Sequence, residues 1–372
     1  MIQRSARLFG LGRYFWDALR EINPNDIRAD LERPLTVAFF GRPGSGRHTL
    51  ARALFGTDQP ERPGHGLSFN EVDPAAVAAA GTFDLAVLAL NAAEPDWSAE
   101  RGAAARIAAR GCPLFLVVTH VDRLSAPGQG VSAARVQFPS HPPELMAAAD
   151  PRNVDETRRQ LLGRLLQVVP ALRLGLAHRF PAVRGTVAEQ LIRETSRVNA
   201  QAAFLSSLPT IVPILGFFVG GMADILVLTK NQAMLVFKLA AIYGRNLDDK
   251  VGILREIAPV VGGAFVWRTA ARTAVGLAPA PISALPKAGI GYLGTYVVGQ
   301  AARYYYEQGD RPPPELLKQF RADALRRYDL LNDALKQRLG GRPRQADGGM
   351  IDLSGYRGAG TSGGAGRESF DT

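Results

Sequence analysis

Cysteine is nearly missing from this chain. Cys112 is the single thiol in 372 residues, so no internal disulfide can form and a reducing, cytosolic setting is expected. Its place just before an apolar run marks it as a core residue rather than a nucleophile. Histidine is scarce as well, with five in all. His48 and His120 flank the segments that carry chemistry, and nothing in the pattern supplies a third ligand for a metal. Charge is absent from long stretches. Residues 198–223 hold none, and residues 273–302 hold only Lys287. Each stretch is long enough to cross a bilayer. Pro209, Pro213, Gly216, Gly220 and Gly221 interrupt the first, and Pro279, Pro281 and Pro286 the second. That argues against straight spanning helices and for a bent or re-entrant hairpin. Gly10, Gly12 and Arg13 break any apolar core near the start, so those residues do not read as a signal peptide.

Acidic residues are too few to balance the basic ones, and the formal net charge is +10. The excess is local. Residues 151–340 hold 25 of the 44 Lys and Arg but 14 of the 34 Asp and Glu. Such a balance suits anionic lipid. The basic residues are not interleaved with a recognisable reader motif, which argues against nucleic acid. Leu8, Leu11, Phe15, Leu19 and Ile22 recur at helical spacing among Arg4, Arg7, Arg13 and Arg20. Residues 1–33 are therefore expected to hold an amphipathic helix able to pack on protein or lie on a membrane.

What the chain does contain is a strand, a glycine-rich turn and a helix in the order a phosphate-binding loop requires. Leu35–Phe40 is the apolar run, and Gly41-Arg42-Pro43-Gly44-Ser45-Gly46-Arg47-His48 is the turn. Gly41 and Gly46 fall on the glycine positions of G-x-x-x-x-G-K-[ST]. Glycines suit that role because successive backbone N–H groups must converge on phosphate oxygens. Arg47 stands in the lysine position and His48 in that of the magnesium-binding hydroxyl. Thr49 carries a hydroxyl one residue too late. Magnesium is consequently doubtful.

Residues 57–66 read as a loop and Leu67–Val72 as a strand ending at Asp73-Pro74-Ala75-Ala76. Phe83–Leu90 and Pro113–Thr119 read as buried parallel strands, with a helix over Ala99–Arg110 between them. The second strand delivers Thr119-His120-Val121-Asp122 to its carboxyl end. Val136–Ser140 fits a last strand. Alternating strands and helices imply a doubly wound α/β sheet with its ligands beyond the carboxyl ends.

With the loop followed by Thr119-His120-Val121-Asp122, the first half resembles the Era-like and dynamin-like GTPases, whose guanine motif is N/T-K-x-D. The resemblance implies a guanine nucleotide, GTP or GDP. Gly41, Gly44, Ser45, Gly46, Arg47, His48 and Thr49 would surround the phosphates. Thr119, His120 and Asp122 would surround the base, with Ser140 near the S-A position. Asp122 would accept from guanine N1–H and N2–H, and His120 would stack on the ring. Asp73-Pro74-Ala75-Ala76 stands where the family places D-x-x-G, whose Asp reaches magnesium through water; Asp73 would be that one candidate ligand, but Ala76 replaces the glycine, so hydrolysis is expected to be weak or absent.

The second half changes character. Asn153–Val169, Val183–Ala203 and Glu315–Leu339 read as helices. Met222–Met234, Ala240–Gly244 and Gly291–Tyr296 resemble the helical domain of unknown function of YcjF-type bacterial membrane proteins. That resemblance implies the cytoplasmic side of, or a place within, the bacterial inner membrane. The expected organisation is 34–150 as a P-loop GTPase-like domain, 151–340 as an all-α, partly membrane-associated domain, and 341–372 as a disordered tail. The expected partners are guanine nucleotide, membrane lipid and a protein. A nucleotide-free scaffold binding a protein partner is the other reading. Asp224 and Lys287, charges within or bordering the apolar stretches, are expected within ion-pair reach of each other.

Overall fold

The structure, a computed structural model, describes residues 23–59, 66–205, 222–253, 255–256 and 284–340. In chain order its elements begin with α1 (Pro24–Glu32), β1 (Thr36–Phe40), α2 (Arg47–Phe55), β2 (Gly66–Asn70), α3 (Pro74–Ala79) and β3 (Leu85–Asn91). Then come α4 (Ser98–Ala108), β4 (Leu114–Thr119), α5 (Pro127–Gln137) and β5 (Met146–Ala148). After Ala148 every regular element among the described residues is helical: α6 (Val154–Thr157), α7 (Gly163–Val168), α8 (Arg173–Arg179), α9 (Pro181–Leu205), α10 (Met222–Ile242), α11 (Ala284–Gln308) and α12 (Pro314–Gly340). A π-helical turn, Arg158–Leu162, joins α6 to α7.

The five strands are all parallel, in the order β2-β1-β3-β4-β5. Every residue of β1, β3 and β4 is buried, which is why these strands read as unbroken apolar runs. On one face Ala38, Phe40, Leu88 and Val118 pack with Trp97, Ile107 and Phe138 from α4 and the end of α5. On the other, Phe39 meets Phe55 of α2 edge-on at 6.1 Å, and Phe55 meets Phe180 at 5.1 Å. Arg164 of α7 lies over Phe115 of β4 at 5.7 Å. The helical part thus supplies a wall of the sheet's own core. Burying each such aromatic contributes about 1.5–3 kcal/mol. Residues Met1–Tyr328 form one compact unit. In the second, Asp329–Thr372, the described residues are the end of α12.

Helices α9 and α11 approach closely because glycines recur on α11. A Cβ at Gly291 would sit 2.9 Å from the Asn199 carbonyl oxygen, and one at Gly299 2.7 Å from Ile192 Cγ1. Between them Thr295 faces a buried polar cluster. Asn199 donates from Nδ2 to Thr295 Oγ1 at 2.8 Å, and Gln232 Nε2 donates to the same oxygen at 2.9 Å. Thr295 passes its own proton to the Gly291 carbonyl at 2.8 Å. Asn231 Nδ2 donates to Asn199 Oδ1 at 2.7 Å. Asn199 and Thr295 are fully buried, and their polar atoms are spent on one another, so α9, α10 and α11 are held in one register.

Two expectations change. Residues 136–140 are not the last strand, because Val136 and Gln137 close α5 and Phe138 caps it. Pro127 suits the first turn of a helix, and Gly130, Ala134 and Phe138, spaced four apart, bury one face. The last strand is Met146–Ala148, and Ser140 lies exposed in the turn between. The apolar stretches divide as well. Residues 198–205 finish α9, 222–223 open α10, and 284–302 belong to α11. No helix among the described residues is long and apolar enough to cross a membrane. Residues 1–22, 206–221, 257–283, 341–372 and the side chains of Asp224 and Lys287 lie outside the described residues, so the N-terminal helix, the hairpins, the tail and that ion pair do too.

Candidate functional site

β1 delivers the glycine loop to the carboxyl edge of the sheet, beside the crossover between β1 and β3 where α/β sheets place ligands. Gly41 is hemmed in: a Cβ there would overlap the Ser45 hydroxyl and stand 3.3 Å from the Ala89 carbonyl oxygen. Ser45 N–H returns to the Arg42 carbonyl at 3.0 Å, closing the turn. Gly46 takes φ 83° as the N-cap of α2, with no side chain capping the helix. The first N–H groups of α2 therefore face the loop without intrahelical partners. Ser45 is 1% exposed, yet its Oγ has no hydrogen-bond partner. The hydroxyl fills the room that a Cβ on Gly41 would need, which ties the glycine to the shape of the turn.

The second motif is fastened to the first. Thr119, at the end of β4, donates its hydroxyl to the Ser45 carbonyl at 2.7 Å. His120 follows at φ 56°, the one non-glycine residue with positive φ among the described residues. Its Cε1 would lie 3.6 Å from a Cβ on Gly46, so the imidazole stands over the loop. Asp122 sits in the 3-10 turn Val121–Arg123 and is exposed. Its carboxylate is met by Arg152 at 3.0 Å. Arg152 also makes two 2.9 Å bonds to Asp150, which hold the Asp150 carboxyl below its ordinary range and raise the guanidinium.

The remaining loop residues turn inward or aside. Arg47 folds its guanidinium back onto the Gly41 carbonyl, leaving Nε buried without a partner. His48 stacks on Phe69 of β2, with ring centroids 4.1 Å apart. Thr49 is exposed on the helix. Asp73 caps α3, accepting from Ala75 and Ala76 N–H at 3.0 and 2.9 Å. It shares a cavity of about 390 Å³ with Arg42 and Pro43 of the loop. No group of three or more His, Cys, Asp or Glu among the described residues is arranged to hold a metal ion. Cys112 donates to the Phe83 carbonyl at 2.9 Å, and burial pushes its thiol up to about 11.

Two site residues escaped the sequence reading. Glu100 is 2% exposed and pairs with Arg42 of the loop at 2.8 Å, which raises the guanidinium further. The signal was there: Glu100, Ala103, Ala104 and Ile107 form the buried stripe of α4, so a carboxylate stands at an apolar position. Arg152 had no signal, because its contact with Asp122 joins two turns thirty residues apart.

Compared with models of known families and with curated proteins, the chain matches none.

Proposed function

We propose that this is an atypical guanine-nucleotide-binding protein of the GTPase-like kind, in which nucleotide at the glycine loop is coupled to a membrane-associated helical half. The reading rests on one arrangement above all: a glycine loop at the carboxyl end of β1 that the Thr119 hydroxyl, from the Thr119-His120-Val121-Asp122 segment, fastens by the Ser45 carbonyl. The residues fit a diphosphate. Gly44 and Gly46 would present backbone N–H groups, with the positive end of α2 behind them. His120 stands where a base would stack, and Asp122 would accept from guanine once released from Arg152.

The same geometry supports a preference for GDP over GTP. Arg47 is folded onto Gly41, so no long cation is presented to the outer phosphate. His48 is stacked aside, and Asp73 is engaged in capping. Magnesium demands hard oxygen ligands in near-octahedral array; His48 offers only nitrogen, and Asp73 has one carboxylate oxygen committed to the cap. Ala76 stands in place of the glycine whose N–H would meet the γ-phosphate. Hydrolysis near background follows, since phosphoryl transfer depends on that electrostatic frame.

The helical half contributes sheet-covering aromatics and a basic surface suited to anionic lipid, at the cytoplasmic side of, or within, the bacterial inner membrane. Because Phe180 packs on Phe55 of the loop helix, a shift in α2 is felt by α8 and α9. One observation favours the second reading, a nucleotide-free scaffold for a protein partner: Asp122 and Arg47 are each already engaged within the chain. Calorimetry with wild type and Arg47→Lys/His48→Ser separates the two. Weak, magnesium-independent GDP binding by the wild type, with magnesium-dependent GTP binding gained in the variant, supports the nucleotide reading. Tight magnesium-dependent GTP binding by the wild type rejects it, and no binding by either protein favours the scaffold.

A further inference from the structure

A second concavity lies away from the glycine loop, in the helical half. It is a groove of about 630 Å³, well within the size of ligand pockets. Arg158 and Arg159 come from the π-helical turn, Arg193 from α9, Arg303 from α11 and Arg327 from α12. Only two carboxylates, Glu189 and Asp323, line the same space, and no lysine does. Glu189 serves three of the arginines at once, with Arg193 at 2.6 Å, Arg327 at 3.5 Å and Arg303 at 3.8 Å. Gln300 Nε2 donates to it as well, at 2.7 Å. One negative charge cannot neutralise three. Beyond the groove's lining, Arg303 has Glu307 and Arg159 has Glu156, while Asp323 is taken by Arg326. Arg158 spends its Nε on the Ala53 carbonyl, at 2.7 Å.

The excess is held in place. Arg327 lies over the Tyr296 ring at 5.6 Å. A π-turn inside a helix is a frequent mark of a functional position, and this one sets Arg158 and Arg159 side by side on the groove. Planar guanidinium forks recognise phosphate oxygens in pairs, which point-charge ammonium groups do not. We propose that this groove binds a ligand bearing two linked or neighbouring phosphate groups, either a soluble diphosphate or a lipid headgroup of that kind. The site is separate from the glycine loop, and the proposal stands whether or not the loop binds nucleotide.

The test is calorimetry of the full chain with pyrophosphate at low salt, for wild type, Arg193→Gln/Arg327→Gln and Arg327→Lys. The double variant should bind at least tenfold more weakly at an unchanged melting temperature, and Arg327→Lys should fall between. If the double variant folds poorly, Arg159→Gln replaces it; that side chain is 68% exposed, and a loss of about threefold is expected. Cardiolipin vesicles in a flotation assay, against phosphatidylcholine alone, decide the source. Variant-sensitive vesicle binding assigns the groove to lipid, and variant-sensitive binding of pyrophosphate alone assigns it to a soluble ligand. Equal affinity of wild type and variants for both pyrophosphate and cardiolipin vesicles, or no binding of either by the wild type, overturns the proposal.

Discussion

Arg152→Ala tests how the base end of the loop site is held. In the structure Arg152 meets Asp122 at 3.0 Å, so a guanine base seeking that carboxylate must first displace the guanidinium. Arg152 is 65% and Asp122 36% exposed, so solvent screens the pair and its contribution is small. Two bonds to Asp150 already fix the guanidinium, so little further side-chain entropy is lost in making the contact. Removing the arginine should therefore strengthen GDP binding by about two- to fivefold. The gain should be specific to guanine, because adenine lacks the N1–H and N2–H donors that Asp122 would accept from. Salt provides an internal check: near 1 M the pair is screened over about 3 Å, and wild type and variant should converge. Fluorescence titration with GDP and ADP at two salt concentrations reads all three effects. Unchanged or weaker GDP binding in Arg152→Ala, or an equal gain for ADP, would refute the reasoning.

Other consequences are open to simple measurement. Asn199→Leu should destabilise the helical half by about 2–4 kcal/mol in urea unfolding, because the Asn231 amide and the Leu228 carbonyl lose a buried partner; a loss under 0.5 kcal/mol would show the cluster to be dispensable. Burial lowers the His141 imidazole below its ordinary value, and its Nε2 has no partner. The unfolded chain therefore takes up that proton first, so stability should fall as pH drops through about 6.5. The slope should flatten in His141→Gln, and equal slopes in the two proteins would contradict the assignment. Cys112, raised to about 11 by burial, should be alkylated at pH 8 far more slowly than a free thiol in the unfolded chain; equal rates would mean the thiol is not sequestered.

The sheet was legible because its strands are buried on both faces, and doubly buried strands leave an unbroken apolar run that no other element between 83 and 119 imitates. The glycine loop was legible for a similar reason: Gly41 and Gly46 occupy positions where a Cβ would strike the Ser45 side chain or strain the turn. The last strand misled because it has only three residues, too few to show alternation, while Val136-Gln137-Phe138 carries the composition of a strand. Its four-residue spacing with Gly130 and Ala134 marks the helix instead. The side-chain ties that set the site's chemistry were the hardest to foresee. Arg47 on Gly41, Arg152 on Asp122 and Thr119 on Ser45 all join segments through turns, and turns carry no periodic pattern. The arginine groove draws on residues from 158 to 327, so only the folded chain brings its charges together.

The central claim stands or falls on nucleotide binding at the glycine loop. Calorimetric titration of the wild-type chain with GDP, with and without magnesium and beside ADP, tests it most directly. The account predicts weak binding of GDP, little changed by magnesium, and a clear preference over ADP. Failure to bind GDP in either condition, or equal binding of GDP and ADP, would contradict it.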